Sequence, residues 1–120
     1  MIKSYKDLIV WQKSIELVIE IYKITDLFPK EEIYGITSQM RRAAVSIPSN
    51  IAEGYSRKHR QEYSQFIRIA FASGAELETQ IIIAKELNLT VVKNFQKADI
   101  LLVEVMKMLN SLNFSLSKKS

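Results

Sequence analysis

The chain is 120 residues long, carries 17 lysines and arginines against 13 acids for a formal net charge of +4, and has no cysteine. Disulfides and thiolate metal sites are therefore excluded, and three glycines with two prolines leave too little turn material for an all-β fold. The length fits one small domain over residues 1–120 that can bury its own core.

The basic balance permits an anionic partner without requiring one. Apolar residues make up 48% of the chain, more than the roughly three in seven helix positions that a monomeric bundle core needs. The excess predicts a second buried surface, and with it a homo-oligomer. Near the start, the apolar run Leu8–Trp11 is too short for a signal-peptide core. No uncharged stretch approaches the ~20 residues that cross a bilayer. A cytoplasmic protein with no membrane partner is expected.

The first helix is predicted from about Tyr5 to Leu27, stopped by Pro29. It carries two apolar stripes, Leu8, Trp11, Ile15, Val18 and Tyr22 beside Val10, Leu17, Ile21, Ile24 and Phe28. One stripe serves a bundle core; two make a face too wide for that alone. The second helix is expected from about Glu31 to Ser56, with Glu31 and Glu32 complementing its positive end. Its seam, Ile33, Ile36, Met40, Ala44, Ile47 and Ile51, alternates three- and four-residue steps and runs unbroken across Pro48. Were Pro48 to begin a new helix, Ser46 or Ile47 would be the cap, and no capping box follows either. One helix kinked at Pro48 is the better reading, with the lost bond to the Ala44 carbonyl costing ~3 kcal/mol in an isolated helix.

The third helix reads from about His59 to Asn88, with the seam Tyr63, Phe66, Ala70, Gly74, Leu77, Ile81 and Ala84. Ala70 and Gly74 permit a close neighbour, at ~1 kcal/mol for the glycine in mid-helix. Asn88 is the expected C-cap and Thr90 the expected cap of a fourth helix, about Val91 to Leu116. That helix also carries two stripes: Phe95, Leu102, Met106 and Leu109, then Leu101, Val105, Met108 and Leu112. The tail from Ser115 to Ser120 is expected to fray. Short loops between four helices predict an all-α, up-down-up-down antiparallel bundle.

Projected around the second helix at about 100° per residue, Gln39, Arg42, Ser46, Asn50, Glu53 and Arg57 form one polar band. The far side holds Ser38, Val45, Ser49 and Ala52, small and uncharged where a surface helix would carry lysine and glutamate. The band is thus expected at a helix boundary where its members need partners. Glu76, between Ile69 and Ile83 on the flank of the third seam, is the expected partner of Arg42, with Ser46, Asn50 and Glu53 completing a structural network near the proline. The alternative is a solvated flank of charges.

The segments YKDLIVWQKS (Tyr5–Ser14), FPKEEIYGITSQMRRAAVSIPSNIAEG (Phe28–Gly54), EYSQFIRIA (Glu62–Ala70) and AELETQ (Ala75–Gln80) resemble bacterial four-helix-bundle proteins encoded within intervening sequences of 23S ribosomal RNA genes. The fourth helix matches them in hydrophobic pattern only. Two positions depart from the family's usual form: His59 stands where Ser or Thr often caps the third helix, and Ala72-Ser73-Gly74 replaces a Gly-Ser-bulky order. The resemblance implies an antiparallel bundle assembled as a homopentamer. It also implies kinship with the accessory variability determinant proteins of diversity-generating retroelements, pentamers that bind nucleic acid and a reverse transcriptase.

Nothing in the sequence points to catalysis. The single histidine, His59, lies in a basic loop, no Glu-x-x-His pair could build a di-iron site, and no glycine-rich phosphate loop is present. No cofactor or metal is expected. The cluster Arg57, Lys58, His59 and Arg60 is the candidate nucleic-acid surface. Its cations suit the end of the second helix, yet the same charges are unfavourable at the start of the third. The expected function is a pentameric, non-catalytic accessory factor that binds RNA or DNA through repeated basic loops. The alternative is a protein–protein scaffold or adaptor with no nucleic-acid binding.

Overall fold

A computed structural model describes residues 1–118, in which all regular structure is helical. The four helices are α1 (Ile9–Thr25), α2 (Ile36–Tyr55), α3 (Arg60–Glu86) and α4 (Gln96–Ser117). Three single 3-10 turns precede α1, α2 and α4, at Tyr5–Asp7, Lys30–Glu32 and Val92–Phe95.

These turns account for most of the differences from the expected helix bounds. The first helix was expected from Tyr5, but Ser4 and Asp7 close a capping box there. The Lys6 amide donates to Ser4 Oγ at 3.0 Å, and the Lys3 and Ser4 amides donate to Asp7 Oδ2 at 2.8 and 3.2 Å. The backbone is satisfied locally, Leu8 turns extended (ψ 127°), and α1 begins one residue later. The second helix was expected from Glu31. Instead Glu31 and Glu32 sit in the 3-10 turn, and Gly35 leaves helical space (φ −111°, ψ −119°) before α2 starts. That break resets the register, so Ile33 drops out of the seam and is exposed. From Ile36 onward the seam holds, with Met40, Ala44, Ile47 and Ile51 fully buried and the helix continuous through a buried Pro48.

α3 ends in a Schellman motif. Asn88 lies one position beyond the cap at φ 54°, its amide donates to the Lys85 carbonyl, and the Leu89 amide donates to Ala84. Asparagine tolerates this left-handed conformation better than most residues. Thr90 was expected to cap the fourth helix but caps no amide. Its hydroxyl accepts from the Asn94 side chain at 2.9 Å, while Phe95 stands at the α4 N-cap. α4 continues to Ser117, so the first residues of the tail are helical; Lys119 and Ser120 lie outside the described residues.

Side-chain contacts fix how the helices pair. Lys13 reaches Glu104 at 3.4 Å and Glu20 reaches Lys97 at 3.6 Å between α1 and α4. Ser46 meets Ser73, and Tyr55 meets Tyr63, between α2 and α3. Ser64 meets Asn113, and Lys85 meets Asp99, between α3 and α4. In each pair residue numbers rise on one helix as they fall on the other, so paired helices run in opposite directions. The long axis of 46 Å matches the ~40 Å that 27 helical residues of α3 span.

Of the two stripes expected for the first helix, one enters the core: Val10, Leu17, Ile21 and Ile24 of α1, and Phe28 just beyond it. The other, Leu8, Trp11, Ile15 and Val18, is half-buried, and Tyr22 is exposed. On α4 both stripes turn inward, with Phe95, Leu101, Leu102, Val105 and Leu109 buried. Residues Val92–Ser117, with a mean hydropathy of 1.2 over their most apolar window, would by length and composition be able to cross a membrane. Their apolar side forms part of the bundle core, and Lys93, Lys97, Asp99, Glu104 and Lys107 lie along the same segment.

Close approach replaces bulk at two glycines. A Cβ on Gly54 would lie 2.7 Å from Phe66 Cβ and 3.3 Å from the Tyr63 carbonyl. A Cβ on Gly74 would collide with Met106 of α4, as the Ala70–Gly74 pair suggested for a close neighbour. Tight contact between α2 and α3 therefore depends on Gly54, which has no side chain to displace.

Candidate nucleic-acid interface

The Gly54 contact sets the position of the loop that follows. Tyr55 and Tyr63 stack edge to face, ring centres 5.9 Å apart and planes at 88°, across the turn joining α2 to α3. The Tyr63 phenol is pushed above its ordinary value near 10, first by burial and then by repulsion from Tyr55. Next to this pair, the Arg57 guanidinium lies 4.9 Å from the centre of the Phe66 ring and donates to Glu53 Oε2 at 3.1 Å. Aromatic ring and carboxylate together hold Arg57 in place on an exposed surface.

The four sequence-predicted residues are all exposed, but they do different things. Arg57 is paired with Glu53, while Lys58 and His59 make no side-chain hydrogen bond among the described residues. Arg60 turns the other way: its Nη1 donates to the carbonyls of Ser115 and Leu116 at 3.3 and 3.4 Å. It thereby supplies a donor to the end of α4, where carbonyls lack intrahelical partners. His59 occupies the N-cap of α3 without a side-chain bond to the helix.

A further cation joins them. Arg68, two turns beyond Arg60, donates from Nη1 to Ser64 Oγ at 2.9 Å, and Ser64 Oγ donates to Asn113 Oδ1 at 3.1 Å. The sequence reading passed over Arg68, although Arg60, Ser64 and Arg68 at four-residue steps share one helix face. The 3-10 turn bearing Lys6, just ahead of α1, and Lys118, just past α4, lie at this same end of the bundle. Of the nearby acids, Asp7 accepts backbone amides and Glu53 accepts Arg57.

The expected polar network is rearranged. Arg42 and Glu76 are both exposed, and no ion pair joins them among the described residues. Arg42 lines a groove on the α1 side of α2 with Tyr22 and Val45, while Ser46 is the member of the band that meets α3. Ser46 Oγ shares a 2.9 Å hydrogen bond with buried Ser73 Oγ, and Asn50 Nδ2 donates to the Ser46 carbonyl and hydroxyl at 2.7 and 2.9 Å. Glu53 belongs to Arg57, not to this group. Glu76 Oε2 accepts from Gln80 Nε2 at 3.2 Å, and buried Gln80 leaves its Oε1 without a donor among the described residues. Arg41 ties α2 to α1: its Nε donates to Thr25 Oγ1 at 2.9 Å and its guanidinium lies 4.5 Å from the centre of the Tyr22 ring. Ser38 and Ala52 are half-buried and Val45 and Ser49 exposed, so the small outer face of α2 has no covering helix within the chain.

Fold and surface together define a small all-helical protein with a basic end and no cluster of His, Asp and Glu able to hold a metal ion among the described residues. The chain belongs to the 23S rRNA-intervening sequence protein family, whose pattern it matches over residues 6–111. A protein of unknown function from the S23 ribosomal protein family of Bacteroides thetaiotaomicron has the same fold. The two align at a TM-score of 0.81 and 20% identity, covering 88% of this chain and 98% of the other. Among proteins with curated descriptions, none matches the sequence.

Proposed function

We propose that the protein is a non-catalytic accessory factor that assembles as a homo-oligomer and binds nucleic acid through its basic end. The observation carrying this reading is the gathering of Arg57, Lys58, Arg60 and Arg68 around one helix junction, with only Glu53 pairing among the acids beside them. Phosphate contact supplies affinity without base reading. One chain offers few cations, so assembly matters: several copies on one strand act together through effective concentration.

Two separate apolar surfaces support assembly. One combines the outer stripe of α1, ending at exposed Tyr22, with Val45 of α2, and exposed Ile19 lies beside it. The other exposes Ile82 of α3 and Val103 of α4, which line one groove between those helices. Two different patches on one chain suit head-to-tail contacts, which close into rings when the rotation allows. Five copies is the number that the family resemblance implies, and light scattering on a sizing column tests it.

The binding test is fluorescence anisotropy with single- and double-stranded RNA and DNA. The wild type should bind at about 50 mM salt and lose affinity steeply as salt rises, by about 0.7–0.9 log units per log unit of salt for each phosphate engaged. Arg57→Glu with Lys58→Glu should weaken binding strongly while leaving the oligomer intact. Arg60 is left unchanged in this variant because its contact with α4 is structural. If the wild type binds none of the four nucleic acids, the scaffold reading replaces this one, and the apolar faces become its candidate docking surfaces.

A further inference from the structure

We propose that the groove between the first turns of α3 and the last turn of α4 seats phosphate groups of a bound nucleic-acid strand, with Arg68 as its main anchor. The inference rests on the nucleic-acid reading above and moves its centre from the loop to the groove. The cavity there, about 570 Å³, is lined by Arg60, Gln61, Ser64, Gln65, Arg68 and Leu116, among others. No Asp or Glu lines it. Glu62, the one acid in the first turn of α3, is half-buried and lies roughly 130° around the helix from the groove.

Arg68 is held ready rather than left to sweep through solvent. Ser64 is 5% exposed, and its hydroxyl passes a hydrogen bond from Arg68 to Asn113 of α4. Only Nη1 of Arg68 is engaged, so Nε and Nη2, the edge that grips a phosphate with two parallel bonds, has no protein partner among the described residues. Its charge meets no carboxylate there either. Arg60 is the weaker anchor, because the α4 carbonyls already take one of its nitrogens.

The two arginines are eight residues apart, about 12 Å along the helix. A duplex strand places a phosphate every ~3.4 Å of axis, so each guanidinium can take a different phosphate of one strand. Gln61 and Gln65 between them add neutral donors that tolerate any sequence. The groove therefore suits a phosphodiester chain and gives no base preference. A free phosphate shares the same chemistry, and the test separates the two.

The experiment measures anisotropy of a short fluorescent single strand against salt for the wild type, Arg68→Gln, Arg68→Lys and the Arg57→Glu/Lys58→Glu variant. Thermal melts check that each variant is folded. Arg68→Gln should weaken binding and flatten the salt slope by about 0.7–0.9, the share of one phosphate. Arg68→Lys should restore the slope but not the full affinity, because an ammonium lacks the planar fork. If the wild type binds and Arg68→Gln keeps both affinity and slope while the loop variant loses them, the groove is not a phosphate seat and the loop reading stands alone. If the wild type binds no strand, both readings fall together. A second measurement follows the Arg68 Nε–H resonance by NMR. It should shift with the oligonucleotide and stay still with inorganic phosphate at equal phosphate concentration; an equal shift with both would overturn the assignment to a strand.

Discussion

Replacing Gly54 by alanine isolates the contact that positions the basic loop. Gly54 has no positive φ, so alanine fits its backbone and any penalty is steric. The new methyl carbon would stand 2.7 Å from Phe66 Cβ, 3.1 Å from Tyr63 Cδ1 and 3.3 Å from the Tyr63 carbonyl. Comfortable carbon contacts lie at about 3.5–4.0 Å, so α2 and α3 must part by up to about 1 Å. Two of these three neighbours are backbone or Cβ atoms, which no rotamer change can move. Because the obstructing atoms cannot turn away, overpacking here belongs to the upper part of its usual range, about 2–3 kcal/mol, and the better helix propensity of alanine returns about 1 kcal/mol. The net expectation is a loss of about 1–2 kcal/mol, or a fall in Tm of about 4–8 °C at this chain length. Circular-dichroism melts at matched protein concentration measure it, since assembly makes Tm concentration-dependent. Gly74→Ala is the internal control. There the obstacle is the Met106 thioether, which can swing aside, so the change should be within about 1 kcal/mol of neutral. A Gly54→Ala protein as stable as the wild type would refute the claim that α2–α3 contact depends on this glycine.

The remaining expectations concern polar groups. A double-mutant cycle on Arg42→Ala and Glu76→Ala should give a coupling energy below about 0.5 kcal/mol, as for sites that share no partner; a larger coupling in urea melts would restore the ion pair. Ser73→Ala should cost about 1 kcal/mol through the lost Ser46 bond, whereas no change in the urea midpoint would remove that bond from the stability of the fold. Glu53→Gln should alter stability by less than about 1 kcal/mol, the scale of an exposed ion pair, while strengthening strand binding because one carboxylate leaves the basic end. Above about pH 10 stability should decline more steeply than in Tyr63→Phe. Burial raises the Tyr63 phenol in the folded state, so the unfolded chain ionises first and gains from rising pH; parallel pH–stability curves for the two proteins would contradict this.

The residues themselves determined the helices and much of the core. Leu17, Ile21 and Ile24, Met40 through Ile51, and Ala70 through Ala84 recur at helical spacing, and periodicity of that kind depends only on local geometry. The same regularity carried α2 through Pro48, because a proline removes one hydrogen bond without changing the phase of the residues beyond it. Two adjacent apolar stripes on α1 were equally legible. Which of them the bundle would cover was not, since that depends on where α2 and α4 pack. The start of α2 was misplaced because Gly35 breaks the register, while Ile33 and Ile36 keep helical spacing on paper. Arg42 and Glu76 looked like partners because both flank a seam, but Arg42 turns to the α1 side and Ser46 and Ser73 make the α2–α3 contact. Arg60, Arg68 and the end of α4 are brought together by residues some fifty positions apart in sequence. Local patterns set the face on which a side chain sits; only the packing of helices decides what, if anything, it meets there.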